Sequence, residues 1–157
     1  MLYHVGRYDD AIKRCKKSLE VDPEYPYTLG TLGLCYLQKS LFQEAIAALQ
    51  KAVASSGNST AYLSHLAYAY ATSGNPAMAH EMLSELDKPS KHVYISKYRL
   101  AYIQASMGEK DTAFESLEYA YKERDASLIF LKVDPKFDVL RSDPRYETIL
   151  KKIGLAK

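Results

Sequence analysis

Apolar positions along the chain recur with helical spacing and break at regular intervals. From Tyr8 to about Val21 the set Tyr8, Ala11, Ile12, Cys15 and Leu19 recurs every three to four residues, which predicts a helix buried on one face. Asp22-Pro23 ends it, because proline cannot continue a helix and biases the residue before it toward extended backbone. Leu29, Leu32, Gly33 and Tyr36 then line a second predicted helix, and Phe42, Ala45, Leu49 and Ala52 a third. The alternation returns as Leu63, Leu66, Ala67 and Tyr70 followed by Ala79, Leu83 and Leu86. It returns again as Leu100 and Ala101 followed by Ala113, Leu117 and Ala120.

The recurrence has a fixed length. Ala11, Ala45, Ala79 and Ala113 are 34 residues apart each time, and Gly6, Ser40, Gly74 and Gly108 stand in the same register. Leu32, Leu66 and Leu100 keep it too. A period of roughly 20–50 residues predicts a solenoid of stacked units. Gly33 with Ala45, Ala67 with Ala79, and Ala101 with Ala113 put little bulk where paired antiparallel helices cross, so their backbones can approach. A single helix pair leaves an apolar face bare, and neighbours must cover it.

With this residue set, residues 1 to about 124 resemble the tetratricopeptide repeat family, through a Leu-Gly…Tyr…Gly-x-Tyr…Ala…Leu…Ala…Pro pattern. The resemblance implies an all-α, right-handed α-α superhelix. It departs from the pattern at Ser40, where a turn glycine is usual, at Gly57 in place of the closing proline, at Lys97 and at Gln104. Residues 1–25 read as a half-repeat lacking its first helix, which predicts an excised fragment or a truncated gene product. Full repeats are expected at about 26–59, 60–93 and 94–127, and capping helices over 125–157.

The tail carries two Asp-Pro steps, Asp134-Pro135 and Asp143-Pro144. Asp caps the free amides of a helix start and Pro suits its first turn, so each step predicts a short helix. Phe137 and Leu140 are the apolar positions of one helix; Tyr146, Ile149, Leu150 and Ile153 are those of the other, with Gly154 as its terminator. The expected role is to cover the last repeat. The wording Asp-Pro-Lys-Phe-Asp-Val-Leu-Arg-Ser-Asp-Pro-Arg-Tyr is similar to the tails of bacterial regulators in which repeats follow a DNA-binding, cyclase or kinase domain.

Composition narrows the function. The 157 residues are 47% hydrophobic and 25% charged, a globular balance, with a net charge of +2 and a pI near 8.4. That is too little positive charge to predict nucleic-acid binding. No apolar run approaches the ~18 residues of a membrane span, and no signal-peptide pattern opens the chain. Cys15 and Cys35 fall at inward helical positions and read as reduced core residues of a cytoplasmic protein. Phosphate-binding glycine loops, His-Glu-x-x-His and Gly-x-Ser-x-Gly are lacking. His4, His65, His80 and His92 are scattered without metal-ligand spacing, and Asp9, Asp10, Glu115 and Glu118 read as solvated surface. No catalysis, cofactor or metal is expected.

The resemblance implies a concave groove lined by the first helix of each repeat, through its second, fifth, sixth and ninth positions. These are Tyr27, Gly30, Thr31 and Leu34; Ala61, Ser64, His65 and Tyr68; and Ile95, Tyr98, Arg99 and Tyr102. The expected peptide-binding residues are Tyr27, Leu34, His65, Tyr68, Tyr98, Arg99 and Tyr102, with Leu34, Tyr68 and Tyr102 as a ridge. Tyr and Arg dominate binding hot spots because they bury large area and keep a polar handle. The opposing reading has these rings packed on neighbouring helices, or the groove filled by the chain's own tail. Gly30, Leu34, Ser64, His65 and Ile95 stand where chaperone-binding repeats carry a two-carboxylate clamp, which excludes that subtype. The expected function is a protein or peptide interaction module without nucleic acid or membrane. Two further readings are the regulatory arm of a larger bacterial regulator or signalling enzyme, and a self-association platform built on the half-repeat.

Overall fold

The computed structural model describes residues 2–86 and 94–156; His92 and the side chain of Leu86 lie outside the described residues. Among those residues the chain is helical, with no strand. The α-helices are α1 (Tyr8–Val21), α2 (Pro26–Gln38), α3 (Phe42–Ser55), α4 (Thr60–Thr72), α5 (Pro76–Leu86), α6 (Lys97–Ser106), α7 (Lys110–Lys122) and α8 (Pro144–Lys152). Two 3-10 helices, Ala126–Phe130 and Pro135–Leu140, lie between α7 and α8.

The second helix of each unit starts on the 34-residue register, at Tyr8, Phe42, Pro76 and Lys110. The turn residues explain why. Gly6, Ser40, Gly74 and Gly108 all take left-handed backbone, with φ of 74°, 58°, 86° and 85°. Glycine does this freely, whereas Ser40 pays a steric penalty of about 1–2 kcal/mol.

The chain divides into two compact units, Met1–Val93 and Tyr94–Lys157, so the third helix pair belongs with the tail and not with the pairs before it. In the first unit α2 packs against α1, α3 and α4, and α5 against α4. Cys15, Leu32 and Ala48 are buried together, with Ile12, Leu19 and Tyr36 partly buried around them. The crossing positions are as small as expected: Ala45, Ala67 and Ala79 have no exposed surface. A Cβ on Gly33 would lie 2.6 Å from Leu49 Cγ and 3.1 Å from the Ala45 carbonyl oxygen. Only glycine fits there.

In the second unit α6 packs on α7, the 3-10 helix Pro135–Leu140 on α6, and α8 on α7. Two expectations shift. The first helix of the third pair begins at Lys97 instead of near Tyr94, because the Ser96 hydroxyl accepts from the Arg99 amide at 3.3 Å and caps it there. The first Asp-Pro step opens a 3-10 helix instead of an α-helix, although Asp134 caps it as expected by accepting from the Lys136 amide at 3.1 Å. Asp143 caps α8 in the same way, accepting from the Arg145 amide at 3.0 Å, and Gly154 ends it at φ 74°. Tail side chains cover the third pair: Phe137, Leu140 and Leu131 have no exposed surface.

Candidate functional site

Each unit contains first-of-pair helices, those expected to line a groove, and each unit is described separately. In the first unit these are α2 and α4. Neither contains a single Asp, Glu, Lys or Arg. Their buried faces hold Leu34 and Tyr68, at 7% and 5% exposure, so two members of the expected ridge are core residues. Tyr27 is half exposed at 51%, and Tyr25, just before α2, matches it at 49%. Their ring centroids are 6.3 Å apart. His65 is partly buried and meets the partly buried ring of Tyr62 edge-on at 6.2 Å.

Tyr62 is the residue that sequence reasoning missed. The Cδ1–Cε1 edge of its ring lies against α2 at Gly30, where an added Cβ would come within 2.6 Å of Tyr62 Cε1. Gly30 was the available signal. A glycine inside a helix costs about 1 kcal/mol relative to alanine, so it marks a place where something approaches the backbone closely. Burial pushes the Tyr62 phenol above its ordinary pKa, and the neighbouring Tyr25 and Tyr27 phenols push it further. Tyr27 stands one turn before Gly30 on α2 and its ring meets that of Tyr25, so the three tyrosines share one region. With His65 they make an aromatic shelf that is uncharged over both helices. The turn leading into α2 carries two exposed carboxylates, Asp22 and Glu24, and Tyr25 donates its amide to the Asp22 carbonyl at 3.4 Å.

In the second unit α6 carries Tyr98, Arg99 and Tyr102. Arg99 is partly buried, while Tyr98 and Tyr102 are 5% and 1% exposed. Here the tail occupies the wall. Phe137 sets its ring 5.1 Å from Tyr98 and 6.2 Å from Tyr102, centroid to centroid. Tyr98 donates its hydroxyl to Asp134 Oδ2 at 2.9 Å, and Lys136 Nζ meets the same oxygen at 2.8 Å. Lys136 also stands 5.1 Å over the Tyr102 ring. Asp134 and Lys136 are almost wholly buried. Desolvation lowers the Lys136 pKa, opposed by the Asp134 charge, and desolvation followed by that same charge raises the Tyr98 phenol. Of the expected peptide-binding set, Tyr27 is the most open; His65 and Arg99 are half-covered, and Leu34, Tyr68, Tyr98 and Tyr102 are buried.

Each unit also carries an open depression. One, of about 610 Å³, is bordered by Asp111, Phe114, Glu118, Arg145 and Ile149. Arg145 pairs with Asp111 at 2.7 Å and stacks 4.2 Å over Phe114, and Lys152 pairs with Glu118 at 2.6 Å, so most of its charge is engaged internally. The other, of about 520 Å³, is bordered by Phe42, Ile46, Gln50, Tyr70 and Asn75, and Gln50 donates across it to the Tyr70 hydroxyl at 3.3 Å.

Cys15 and Cys35 are buried free thiols, and desolvation raises both, Cys35 to about 12. Among the described residues no group of three or more His, Cys, Asp or Glu side chains is arranged to hold a metal ion. Among the same residues no helix is long and apolar enough to cross a membrane.

A family model described as Tetratricopeptide repeat matches residues 2–64. No curated protein and no solved structure matches the chain. The matched stretch runs from the turn before α1 through α2 and α3 into the first turn of α4, so it includes Tyr25, Tyr27 and Tyr62 and stops just before His65. Tetratricopeptide repeats are in general protein–protein interaction modules. Over residues 2–64, this chain is similar to the tetratricopeptide repeat family.

Proposed function

We propose that this protein is a non-catalytic interaction module that holds a peptide, or a peptide-like segment of a partner protein, on the aromatic shelf of α2 and α4. One observation carries the reading. Tyr25 and Tyr27 keep about half their surface in water, although the same helices bury Leu34 and Tyr68 nearby. Exposed tyrosines in one cluster supply large, stiff contact area with a polar tip, the character of a binding hot spot. The site is thus narrower than the sequence suggests: it centres on Tyr25, Tyr27, Tyr62 and His65, with Leu34 and Tyr68 as its support.

The test is a peptide selected from a display library against the whole protein and then titrated while backbone amide resonances are followed. The expected shifts cluster at residues 25–31 and 61–65. A selected peptide that binds while leaving those amides unmoved overturns the assignment.

A further inference from the structure

The shelf also states what its ligand must look like, and this inference rests on the binding reading above. We infer that the occupant is an extended proline-rich segment flanked by lysine or arginine. Three observations converge on it.

First, α2 and α4 carry no charged residue, so the middle of the ligand meets nothing that repays the desolvation of a charge. The segment lying on the shelf is therefore uncharged. Second, the phenols of Tyr25 and Tyr62 make no hydrogen bond among the described residues. The phenol O–H at the tip of each ring is a donor that a ligand carbonyl can meet. An α-helical ligand has its carbonyls tied up internally, whereas a polyproline II strand leaves every carbonyl unbonded. Proline is also the one residue whose backbone accepts and cannot donate, so it leaves no orphan N–H over an aromatic surface. Its rings pack on aromatic faces, and its stiffness lowers the ordering cost of binding. Third, charge appears only at the margin. From Ser18 to Gln38 the chain has Glu20, Asp22 and Glu24 and no Lys or Arg, and all three carboxylates are exposed. A basic residue at the end of the ligand completes that edge.

The test uses the whole protein and synthetic peptides of about a dozen residues, a length that spans several polyproline turns. A proline-rich peptide with two arginines at one end is compared with the same peptide carrying alanine for proline, and with one carrying glutamate for arginine. A display library without composition bias is panned in parallel. The proline- and arginine-bearing peptide is expected to bind at least about tenfold more tightly than either relative. Tyr62→Ala is expected to weaken it at least about tenfold. Gly30→Ala, which pushes the Tyr62 ring outward, should weaken binding without lowering the melting temperature. It is the variant that separates a lost site from a lost fold. Asp22→Lys with Glu24→Lys should reverse the preference between arginine and glutamate flanks. Library winners that lack proline, yet are lost in Gly30→Ala, overturn this inference and leave the shelf as a binding site. Winners indifferent to Gly30→Ala and Tyr62→Ala, or no winners at all, overturn both.

Discussion

The helices that would line a groove meet opposite fates in the two compact units. In Met1–Val93 the wall made by α2 and α4 keeps aromatic rings in contact with water. In Tyr94–Lys157 the corresponding helix, α6, has its tyrosines closed over by Asp134, Lys136 and Phe137. Position in the repeat therefore does not decide availability. The cover does. The open wall contains no ionisable carboxylate, ammonium or guanidinium, whereas the closed wall is held by an ion pair buried almost completely. The first arrangement suits something that comes and goes. The second suits a permanent internal contact.

The largest expected effect comes from breaking that internal contact. Lys136→Met leaves the Asp134 carboxylate buried with the Tyr98 hydroxyl and one backbone amide. It should cost about 3–5 kcal/mol, because an uncompensated buried charge is strongly destabilising. Replacing both partners, Asp134→Asn with Lys136→Met, should recover most of the loss. Urea unfolding, with hydrogen exchange read over residues 94–156, measures both. If the single variant were no worse than the double, the pair would not be what closes this wall.

Next come two glycines one turn apart in α2. Alanine gains about 1 kcal/mol of helix propensity at either site, so the neighbours decide the sign. At Gly33 the added Cβ meets fully buried Leu49 and the Ala45 backbone, neither of which can swing away. Gly33→Ala should lose about 1–3 kcal/mol through overpacking. At Gly30 the neighbour is a partly buried ring with room to move. Gly30→Ala should leave stability unchanged or raise it by up to about 1 kcal/mol. Equal thermal shifts for the two would mean that Tyr62 is as firmly packed as Leu49, and the open wall would not be open.

Smaller still is the turn rule shared by the two units. Ser40 and Arg124 sit at φ 58° and 55°, where a side chain is strained. Ser40→Gly and Arg124→Gly should each stabilise by about 1 kcal/mol. A gain at one site only would show that the two units do not relieve turn strain alike. The smallest effect is acidic. Two-point hydrogen bonding from Arg145 holds Asp143 down to about 2, against an ordinary 3.8. Its contribution is complete above the ordinary value and disappears as pH falls through about 2. Between pH 4 and 2 the urea midpoint of the native protein should fall more steeply than that of Asp143→Asn. Parallel curves would remove this clasp from the account of the tail.

How far the sequence reaches is clearest residue by residue. The 34-residue spacing of the second helices was legible, because left-handed turns and alanine crossings recur with it. The tail's Asp-Pro caps were legible for the same local reason. The start of α6 was not. A serine cap at Ser96 outweighed the register, and a cap depends on one hydroxyl and not on periodicity. The binding residues were the least legible. A 34-residue period marks both rings that face a groove and rings that face a neighbour, so Tyr68 and Tyr102 read like Tyr27. What separates them is the covering surface, which lies outside the periodic signal. Tyr62 was hidden because its clue, Gly30, belongs to another helix.

The lock between Asp134 and Lys136 has a consequence for how the tail answers its medium. Dissolved salt weakens attractions between charges it can surround, over a range of about 8–10 Å at ordinary concentrations, and the outer clasps Arg145–Asp111 and Lys152–Glu118 are of that kind. The inner pair is beyond the reach of ions. Brine should therefore loosen the rim of the tail first while its root stays seated, so this segment frays from α8 inward and does not lift off in one piece.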